Sequence, residues 1–389
     1  MNFLKKGAYQ LPAVKRLSDM QENTGIDKDK SNTSHFLAEG SIVEEENVYS
    51  EKNALEQAIE KEKAELFSVL QEEIENDEIT DIEWDGWNLW ITKLGVGCYR
   101  SDKVLDDEFV NRMAIRLSNI MKVNFSRMNP VLEANTELLR ISIWHESRCG
   151  RKSIAIRKIP KRLRFGHEQL IADSYAPPSI ISLIENCVTA HMNIVIGGLP
   201  HAGKTELLKY LSTYIPASEK AGVYEDNQEI HYRDINPGKK CVEFHVDENF
   251  TYADVIKAGL RHNVDWELLS ESRGSEVLEL LNALSNGGYC LTTMHLNDVT
   301  RLPDRMYNMI GENVSERFIN NIYRFIDVGI IVECDNKQQR RIKQLAFFTR
   351  TERKNMCHLF FDEGELTRKP IPEEMLKRFQ RYGIDNPLN

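Results

Sequence analysis

One short stretch of the chain has residue types and spacing suited to binding phosphate. Residues 195–208 read VIGGLPHAGKTELL, in which Gly198, four further residues and then Gly203, Lys204 and Thr205 match the pattern G-x-x-x-x-G-K-[ST]. In such a loop, backbone N–H groups and the start of the following helix point at the phosphates. The lysine reaches the β- and γ-phosphate oxygens, and the threonine hydroxyl coordinates Mg²⁺. The stretch therefore predicts a site for a nucleotide and Mg²⁺.

The inner positions of this loop are unusual. Pro200 and His201 stand where such loops usually carry Gly and Ser. These positions meet phosphate through the backbone, so the side chains do not rule out binding, although a proline has no N–H to donate. The predicted nucleotide-binding residues are Gly198, Leu199, Pro200, His201, Ala202, Gly203, Lys204, Thr205 and Glu206. The alternative is a Gly-rich strand-to-helix turn that binds no nucleotide.

The segments on either side of the loop fit a strand and a helix. An apolar run, NIVIGG, stands directly before the loop, and a helical pattern that buries Leu207, Leu208 and Leu211 follows it. Similar strand–helix alternation continues through residues 220–297. Such alternation predicts an α/β fold with a mostly parallel sheet and helices on both faces.

Hydrolysis of a bound nucleotide requires carboxylates that hold the metal's water shell and polarise the attacking water. Glu225 and Glu229 follow one predicted strand, Glu271 follows another, and His295 ends a third. The carboxyl ends of parallel strands are where sites form in α/β sheets. Taken singly, each acid is more often a solvated loop residue and a lone histidine is usually structural, so the prediction depends on their being neighbours.

Composition limits the class of protein. The chain has 389 residues, enough for two domains, and a net charge of −10 that argues against a nucleic-acid partner. Its seven cysteines include no C-x-x-C pair, so no zinc site is expected and a reducing compartment is favoured. No run is apolar enough for a membrane-spanning helix. The basic run at 151–165 is either a solvated surface or an edge that faces phosphate or lipid.

The chain is expected to divide into three parts. Residues 1–50 are polar and are predicted to be a flexible leader. Residues 51–165 are predicted to form a smaller α+β domain with an amphipathic N-terminal helix and a hairpin at Asp85-Gly86. Residues 166–389 are predicted to form the nucleotide-binding domain, which ends in a finishing sheet of antiparallel strands.

Five motifs occur in an order that resembles one family. After the phosphate loop come YEDNQEI at 224–230, AGLRHNVDW at 258–266, ELLSESRG at 267–274 and TTMHLN at 292–297. Together they resemble the secretion ATPase superfamily of type II secretion, type IV pilus and type IV secretion motors. The Tad-pilus (CpaF-like) and type IV secretion branch is the most similar. The resemblance spans roughly residues 60–365 and implies a RecA-like P-loop NTPase domain behind the smaller α+β domain.

The resemblance also implies roles for single residues. Lys204 and Thr205 would bind phosphate and Mg²⁺, while Glu225, Glu229 and Glu271 would position the metal and water, with Glu271 reaching Mg²⁺ partly through water. His295 would couple the nucleotide state to neighbouring subunits. Three arginines would complete the site: Arg140 and Arg157 at the γ-phosphate, and Arg261 in an interdomain or intersubunit set.

The resemblance predicts a cytoplasmic homohexameric motor that hydrolyses ATP. It would power pilus assembly or protein secretion through an inner-membrane platform protein, with peripheral docking at the inner face of the membrane left open. Some positions depart from the family's pattern: Ser270 replaces a glycine, and Asn263 and Trp266 lie in a segment usually richer in arginine. The alternative is therefore a nucleotide-binding assembly protein of the same family with weak or no ATP turnover.

Overall fold

The computed structural model describes residues 57–59, 61–247, 249–311, 317–335 and 339–389. The predicted leader at 1–50 lies outside them. The described residues all belong to one compact unit, which holds two sheets. Its buried apolar residues form three clusters, one under the first sheet and one on each face of the second.

The first sheet contains six antiparallel strands in the spatial order β3-β2-β1-β6-β5-β4. Its strands are β1 (Ile79–Trp84), β2 (Leu89–Lys93), β3 (Gly97–Arg100), β4 (Val131–Asn135), β5 (Leu139–Trp144) and β6 (Ser153–Lys158). The hairpin predicted at Asp85-Gly86 joins β1 to β2. The Asp85 carboxylate accepts hydrogen bonds from the N–H groups of Trp87 and Asn88, and Gly86 takes the positive φ of 97° that the turn requires.

Helices cover one face of this sheet. The predicted amphipathic helix is present at 57–59 and 61–67 and leads into a 3₁₀ turn, Ser68–Leu70. The other helices here are α1 (Gln71–Glu75), α2 (Asp107–Ile120) and α3 (Glu146–Cys149). Asp106 caps the start of α2, because its carboxylate accepts a hydrogen bond from the Phe109 N–H. Its apolar face belongs to the same buried cluster as the inward residues of β1, β2, β4, β5 and β6.

The second sheet contains nine strands in the spatial order β15-β14-β13-β12-β7-β11-β10-β8-β9. Its strands are β7 (Ile194–Gly198), β8 (Ala221–Glu225), β9 (Cys241–His245), β10 (Trp266–Leu269), β11 (Tyr289–His295), β12 (Val328–Cys334), β13 (Arg340–Arg350), β14 (Asn355–Asp362) and β15 (Glu365–Leu366). The strands β12, β7, β11, β10, β8 and β9 run parallel.

The predicted finishing strands join the second sheet. The three strands predicted there, β12, β13 and β14, pair antiparallel in succession, as predicted, and β15 adds a fourth. On its other side β12 pairs parallel with β7. The strand β12 therefore belongs to the parallel core and carries the antiparallel strands as an extension of the same sheet. An apolar run does not show which strands lie beside it, so the sequence did not predict the parallel pairing of β12 with β7.

Helices lie on both faces of the second sheet. They are α4 (His167–Ala172), α5 (Pro178–Thr189), α6 (Lys204–Ser212), α7 (Tyr232–Ile235), α8 (Tyr252–Gly259), α9 (Glu276–Ser285), α10 (Leu302–Ile310), α11 (Arg317–Phe325) and α12 (Glu373–Arg381). Ile194 and Ile196 of β7 pack into one apolar cluster, whereas Val195 packs into the cluster on the opposite face. Because both faces are covered, β7 is apolar throughout. The predicted α/β fold class is confirmed.

Candidate functional site

A cleft of about 900 Å³ lies where the carboxyl ends of β7, β10 and β11 approach the first sheet. Most of the predicted site residues line it: Arg140, Arg157, Pro200, His201, Gly203, Lys204, Thr205, Glu206, Glu229, Glu271 and His295. Gly198, Leu199 and Ala202 belong to the same loop but are not among its lining residues. Glu225 and Arg261 are not among them either.

The backbone of the predicted phosphate loop is tightly turned. Gly198 ends β7, and a Cβ built on it would lie 2.6 Å from the carbonyl oxygen of Val332, so this position has no room for a side chain. His201 and Gly203 have positive φ values of 64° and 95°. Gly203 then starts α6, whose first-turn N–H groups have no partner within the helix. The loop and helix start thus form a cradle of backbone donors that fits a phosphate group.

Lys204 lies at the floor of this cradle. Its Nζ donates to the carbonyl oxygen of Leu199 at 3.1 Å and lies 3.3 Å from His295 Nδ1. Burial lowers the pKa of the amine, while Glu271 and Glu229 favour its charged form. A lysine that faces a cleft and donates to a carbonyl of its own loop can instead donate a hydrogen bond to an anion in the cleft.

His295 connects the lysine to the acid at the end of β10. Its Nε2 lies 3.0 Å from Glu271 Oε1, and the other Glu271 oxygen pairs with Arg273 at 3.0 Å. With the proton on Nε2, the ring donates to Glu271 and its Nδ1 accepts from Lys204. The structure thus brings Lys204, His295 and Glu271 together, although up to 91 residues separate them along the chain.

Oxygen donors for Mg²⁺ meet at the first turn of α6. The Thr205 hydroxyl donates to Glu229 Oε2 at 3.4 Å, and Glu271 lines the same cleft. In the described ranges, no group of three or more His, Cys, Asp or Glu side chains is arranged to hold a metal ion by itself. Mg²⁺ commonly binds through few protein oxygens together with substrate phosphates and water. The donor set therefore fits a metal held jointly by the protein and a nucleotide.

Arg140 and Arg157 reach the cleft from the first sheet. They are paired neighbours on β5 and β6, so their side chains project together. Arg140 donates to Glu229 at 2.7 Å, and Arg157 donates to Asp81 at 2.9 Å and contacts His201. Both guanidinium groups are therefore paired with protein carboxylates in this structure. They also connect the first sheet to the second.

Glu225 lies beneath the cleft, at the end of β8. Its side chain is 4% exposed, and its Oε1 accepts hydrogen bonds of 3.0 Å from the N–H groups of Glu229 and Ile230. Burial raises the pKa of this carboxyl to about 8, and the two N–H groups partly oppose the rise. The contacts hold the segment that carries Glu229, so Glu225 positions the site from below.

Arg261 lies in an exposed 3₁₀ helix, Leu260–His262, away from the cleft. The structure does not bring it together with the other predicted residues. Its predicted place in an intersubunit set stays a prediction.

Several cleft residues were missed by the sequence reasoning: Asp81, Lys158, Arg164, Tyr175, Ser270, Arg273, Gln339 and Arg340. The basic run at 151–165 was a signal for part of this set. Arg157, Lys158 and Arg164 all line the cleft. The run thus supplies a basic wall to the cleft.

Glu206 is tied to this wall by a cluster of charges. Arg164 lies 3.6 Å and Lys209 lies 3.5 Å from Glu206 Oε1. The fully buried Lys209 also donates to the carbonyl oxygen of Pro160 at 2.9 Å. The two cations offset the negative charge of Glu206 next to the loop. Helix α6 is thereby fastened to the segment that joins the two sheets.

Ser270 also fits its surroundings. Its hydroxyl lies 3.4 Å from the Tyr252 hydroxyl, and its carbonyl oxygen accepts from Thr293. With serine at this position instead of glycine, the end of β10 is still held by hydrogen bonds to neighbouring residues.

In the part of the chain that the structure describes, no helix has the length and apolar character that crossing a membrane requires.

Comparison with known proteins gives one family. A family model described as "Type II/IV secretion system protein" matches residues 125–376. An uncharacterized protein of Bacillus anthracis is 26% identical over 280 residues, which is 69% of this chain and 63% of that protein. The type IV secretion system protein VirB11 of Brucella suis is 27% identical over 165 residues, 41% of this chain and 45% of VirB11. The chain thus matches less than two thirds of the length of these relatives.

A solved structure has the same fold. The pilus retraction motor PilT with bound ADP superposes with a TM-score of 0.53 and is 16% identical. The match covers 82% of this chain and 87% of PilT.

Proposed function

Because the chain belongs to the Type II/IV secretion system protein family, we propose that it is an ATPase that binds and hydrolyses ATP with Mg²⁺ in the cleft between the two sheets. It acts as a cytoplasmic homohexameric motor. Through an inner-membrane platform protein, it powers pilus assembly or protein secretion across the cell envelope.

The contact set around Lys204 carries the proposal. A phosphate loop with its lysine at the floor faces Glu271 and His295 on one side and Thr205 with Glu229 on the other. Nucleotide binding alone needs only the loop and the helix start. The added carboxylates at the same place are what hydrolysis requires, so their position favours turnover.

Each residue has a role that its contacts support. Lys204 and the backbone of the loop bind phosphate, and Thr205 with Glu229 offers oxygen ligands to Mg²⁺. When bound, the ion offsets the charge of the phosphates. Glu271, held by Arg273 and His295, has a fixed carboxylate that can orient water. Arg140 and Arg157 are positioned to exchange their carboxylate partners for phosphate oxygens.

Phosphate release by the purified protein tests this function. We expect Mg²⁺-dependent release that Lys204→Ala reduces at least about a hundredfold, because the lysine stabilises charge on the transferred group. The matched control is Lys240→Ala, since Lys240 is exposed and outside the cleft. ATP binding without release in the wild-type protein would contradict the motor and support the nucleotide-binding assembly protein. Light scattering with and without ATP measures the subunit number.

A further inference from the structure

Arg340 lies at the phosphate loop but belongs to a strand far from it along the chain. It is the first residue of β13, in the antiparallel part of the second sheet, and its half-buried side chain lines the cleft. A Cβ built on Gly203 would lie 3.1 Å from Arg340 Cδ and 3.4 Å from Arg340 Nε. The side chain of Arg340 therefore lies against the loop backbone at the residue that precedes Lys204.

The other arginines that line the cleft are each paired with a carboxylate. The pairs are Arg140 with Glu229 at 2.7 Å, Arg157 with Asp81 at 2.9 Å, Arg164 with Glu206 at 3.6 Å and Arg273 with Glu271 at 3.0 Å. Arg340 differs from them, because no carboxylate within the ranges that the structure describes forms an ion pair with it. A guanidinium stays charged and has only donors, so the donors of Arg340 are available to an anionic ligand.

The charges around Arg340 also favour an anion. Arg340 is close enough to Arg164 for its charge to act on that residue. Glu206, the carboxylate that pairs with Arg164, is shared with Lys209 at 3.5 Å. Like charges repel more strongly in a half-buried setting than in water. An anion bound next to Arg340 would relieve this repulsion.

The position of Arg340 indicates which part of a nucleotide it meets. In a phosphate loop the backbone N–H groups hold the α- and β-phosphates, whereas the lysine reaches the β- and γ-phosphates. Arg340 lies against the backbone part of the loop, at Gly203. A guanidinium can bind two phosphate oxygens at once through parallel N–H donors. The diphosphate formed by the α- and β-phosphates therefore fits this position.

We propose that Arg340 is a nucleotide-binding residue that donates hydrogen bonds to the α- and β-phosphates. The antiparallel extension of the second sheet thereby contributes a ligand-binding side chain to the cleft. The identity of the ligand as a nucleotide rests on the proposed ATPase function, but the affinity of Arg340 for a diphosphate does not.

Binding measurements without turnover test the proposal. Titration calorimetry with Mg²⁺ compares ADP, a non-hydrolysable ATP analogue and inorganic pyrophosphate, which has the diphosphate but neither base nor ribose. Arg340→Gln is expected to weaken the binding of all three by at least about tenfold, because a hydrogen bond between charged groups is lost. Arg340→Lys keeps the charge and is expected to lose less affinity than Arg340→Gln.

Arg341→Gln is the matched control. Arg341 is the next residue on β13, its substitution removes the same charge, and it is paired with Glu333 and does not line the cleft. This variant should bind all three ligands as wild type does. Equal weakening by Arg340→Gln and Arg341→Gln would mean that net charge is the cause, and would overturn the proposal.

Urea unfolding without ligand separates binding from a structural role. Arg340→Gln breaks no ion pair with a described residue, so its unfolding midpoint should be no lower than that of wild type. Saturating ADP should raise the midpoint of wild type more than that of Arg340→Gln. A midpoint that is lowered without ligand and raised equally by ADP would assign Arg340 a structural role and overturn the proposal.

The three ligands also locate the contact. Unchanged ADP affinity in Arg340→Gln would overturn the proposal, as would weaker binding of the ATP analogue alone, which would place Arg340 at the γ-phosphate. Weaker ADP binding with unchanged pyrophosphate binding would place Arg340 at the nucleoside and overturn it too. If wild type binds neither ADP nor the ATP analogue, the proposed ATPase function fails, and pyrophosphate binding still decides the role of Arg340.

Discussion

The buried carboxyl of Glu225 allows a quantitative prediction. The change is Glu225→Gln, which keeps an oxygen to accept from the N–H groups of Glu229 and Ile230 but cannot ionise. Burial raises the pKa of Glu225 from 4.5 to about 8. A carboxyl whose pKa is raised by folding favours the folded state while it is protonated, and this contribution is complete below the unfolded-state pKa. The contribution is lost as the pH rises through the folded-state pKa.

The magnitude follows from the size of the shift. Each pKa unit corresponds to about 1.4 kcal/mol, so the free energy of unfolding of the wild type should fall by about 3 kcal/mol relative to Glu225→Gln between about pH 5 and pH 8. At pH 5 ionisation of Glu225 should contribute little to the difference in the free energy of unfolding between the two proteins, since the carboxyl is then mostly protonated in the folded protein. The loss develops across the window between the two pKa values, 4.5 and about 8.

Urea unfolding followed by circular dichroism measures this difference at a series of pH values. The matched control is Glu133→Gln, because Glu133 is exposed on β4. If wild type and Glu225→Gln lose stability in parallel as the pH rises, the buried carboxyl is not the cause and the reasoning is refuted. Phosphate release then separates two roles, because a carboxyl that only positions Glu229 should be replaceable by the amide, whereas a catalytic carboxylate should not.

Two further substitutions test the geometry around the loop. Gly198→Ala places a Cβ 2.6 Å from the Val332 carbonyl oxygen, so we expect a loss of about 1–3 kcal/mol in urea unfolding and weaker binding of a fluorescent nucleotide. Gly166→Ala, which meets nothing within 4 Å, should bind the nucleotide normally. Lys209→Met removes the donor to Pro160 and a cation beside Glu206, and should destabilise by about 1–3 kcal/mol, unlike the exposed Lys240→Met. Normal nucleotide binding by Gly198→Ala, or unchanged stability of Lys209→Met, would contradict the respective contact.

The elements around the site were largely predictable from local patterns. The strand before the phosphate loop, the helix after it and the hairpin at Asp85-Gly86 all have periodicities or turn residues that depend on near neighbours. The short strand β9 was missed, because its residues are only half-buried and show no continuous apolar run. The parallel pairing of β12 with β7 was not predicted either, since the two strands lie far apart in the chain.

The site residues divide in the same way. Lys204 and Thr205 belong to a motif whose chemistry depends on adjacent positions, so the sequence was sufficient to place them at the start of the helix that follows the loop. Glu225 follows its strand like a site acid, but its burial depends on strands packed on either side of β8. Both the raised pKa of Glu225 and its hydrogen bonds to the segment that carries Glu229 therefore depend on the folded sheet.

The sequence by itself determined the phosphate loop, the order of the motifs and the α/β class, because each depends on spacing along the chain. Only the tertiary structure decided which groups meet across it. Arg157 contacts His201 and Asp81, and Arg140 contacts Glu229, because two separate sheets converge on one cleft. The physical reason is that hydrogen bonds and charges act over a few ångströms in space, whatever the distance along the chain. The histidine that looked out of place in the loop contacts an arginine 44 residues earlier in the chain.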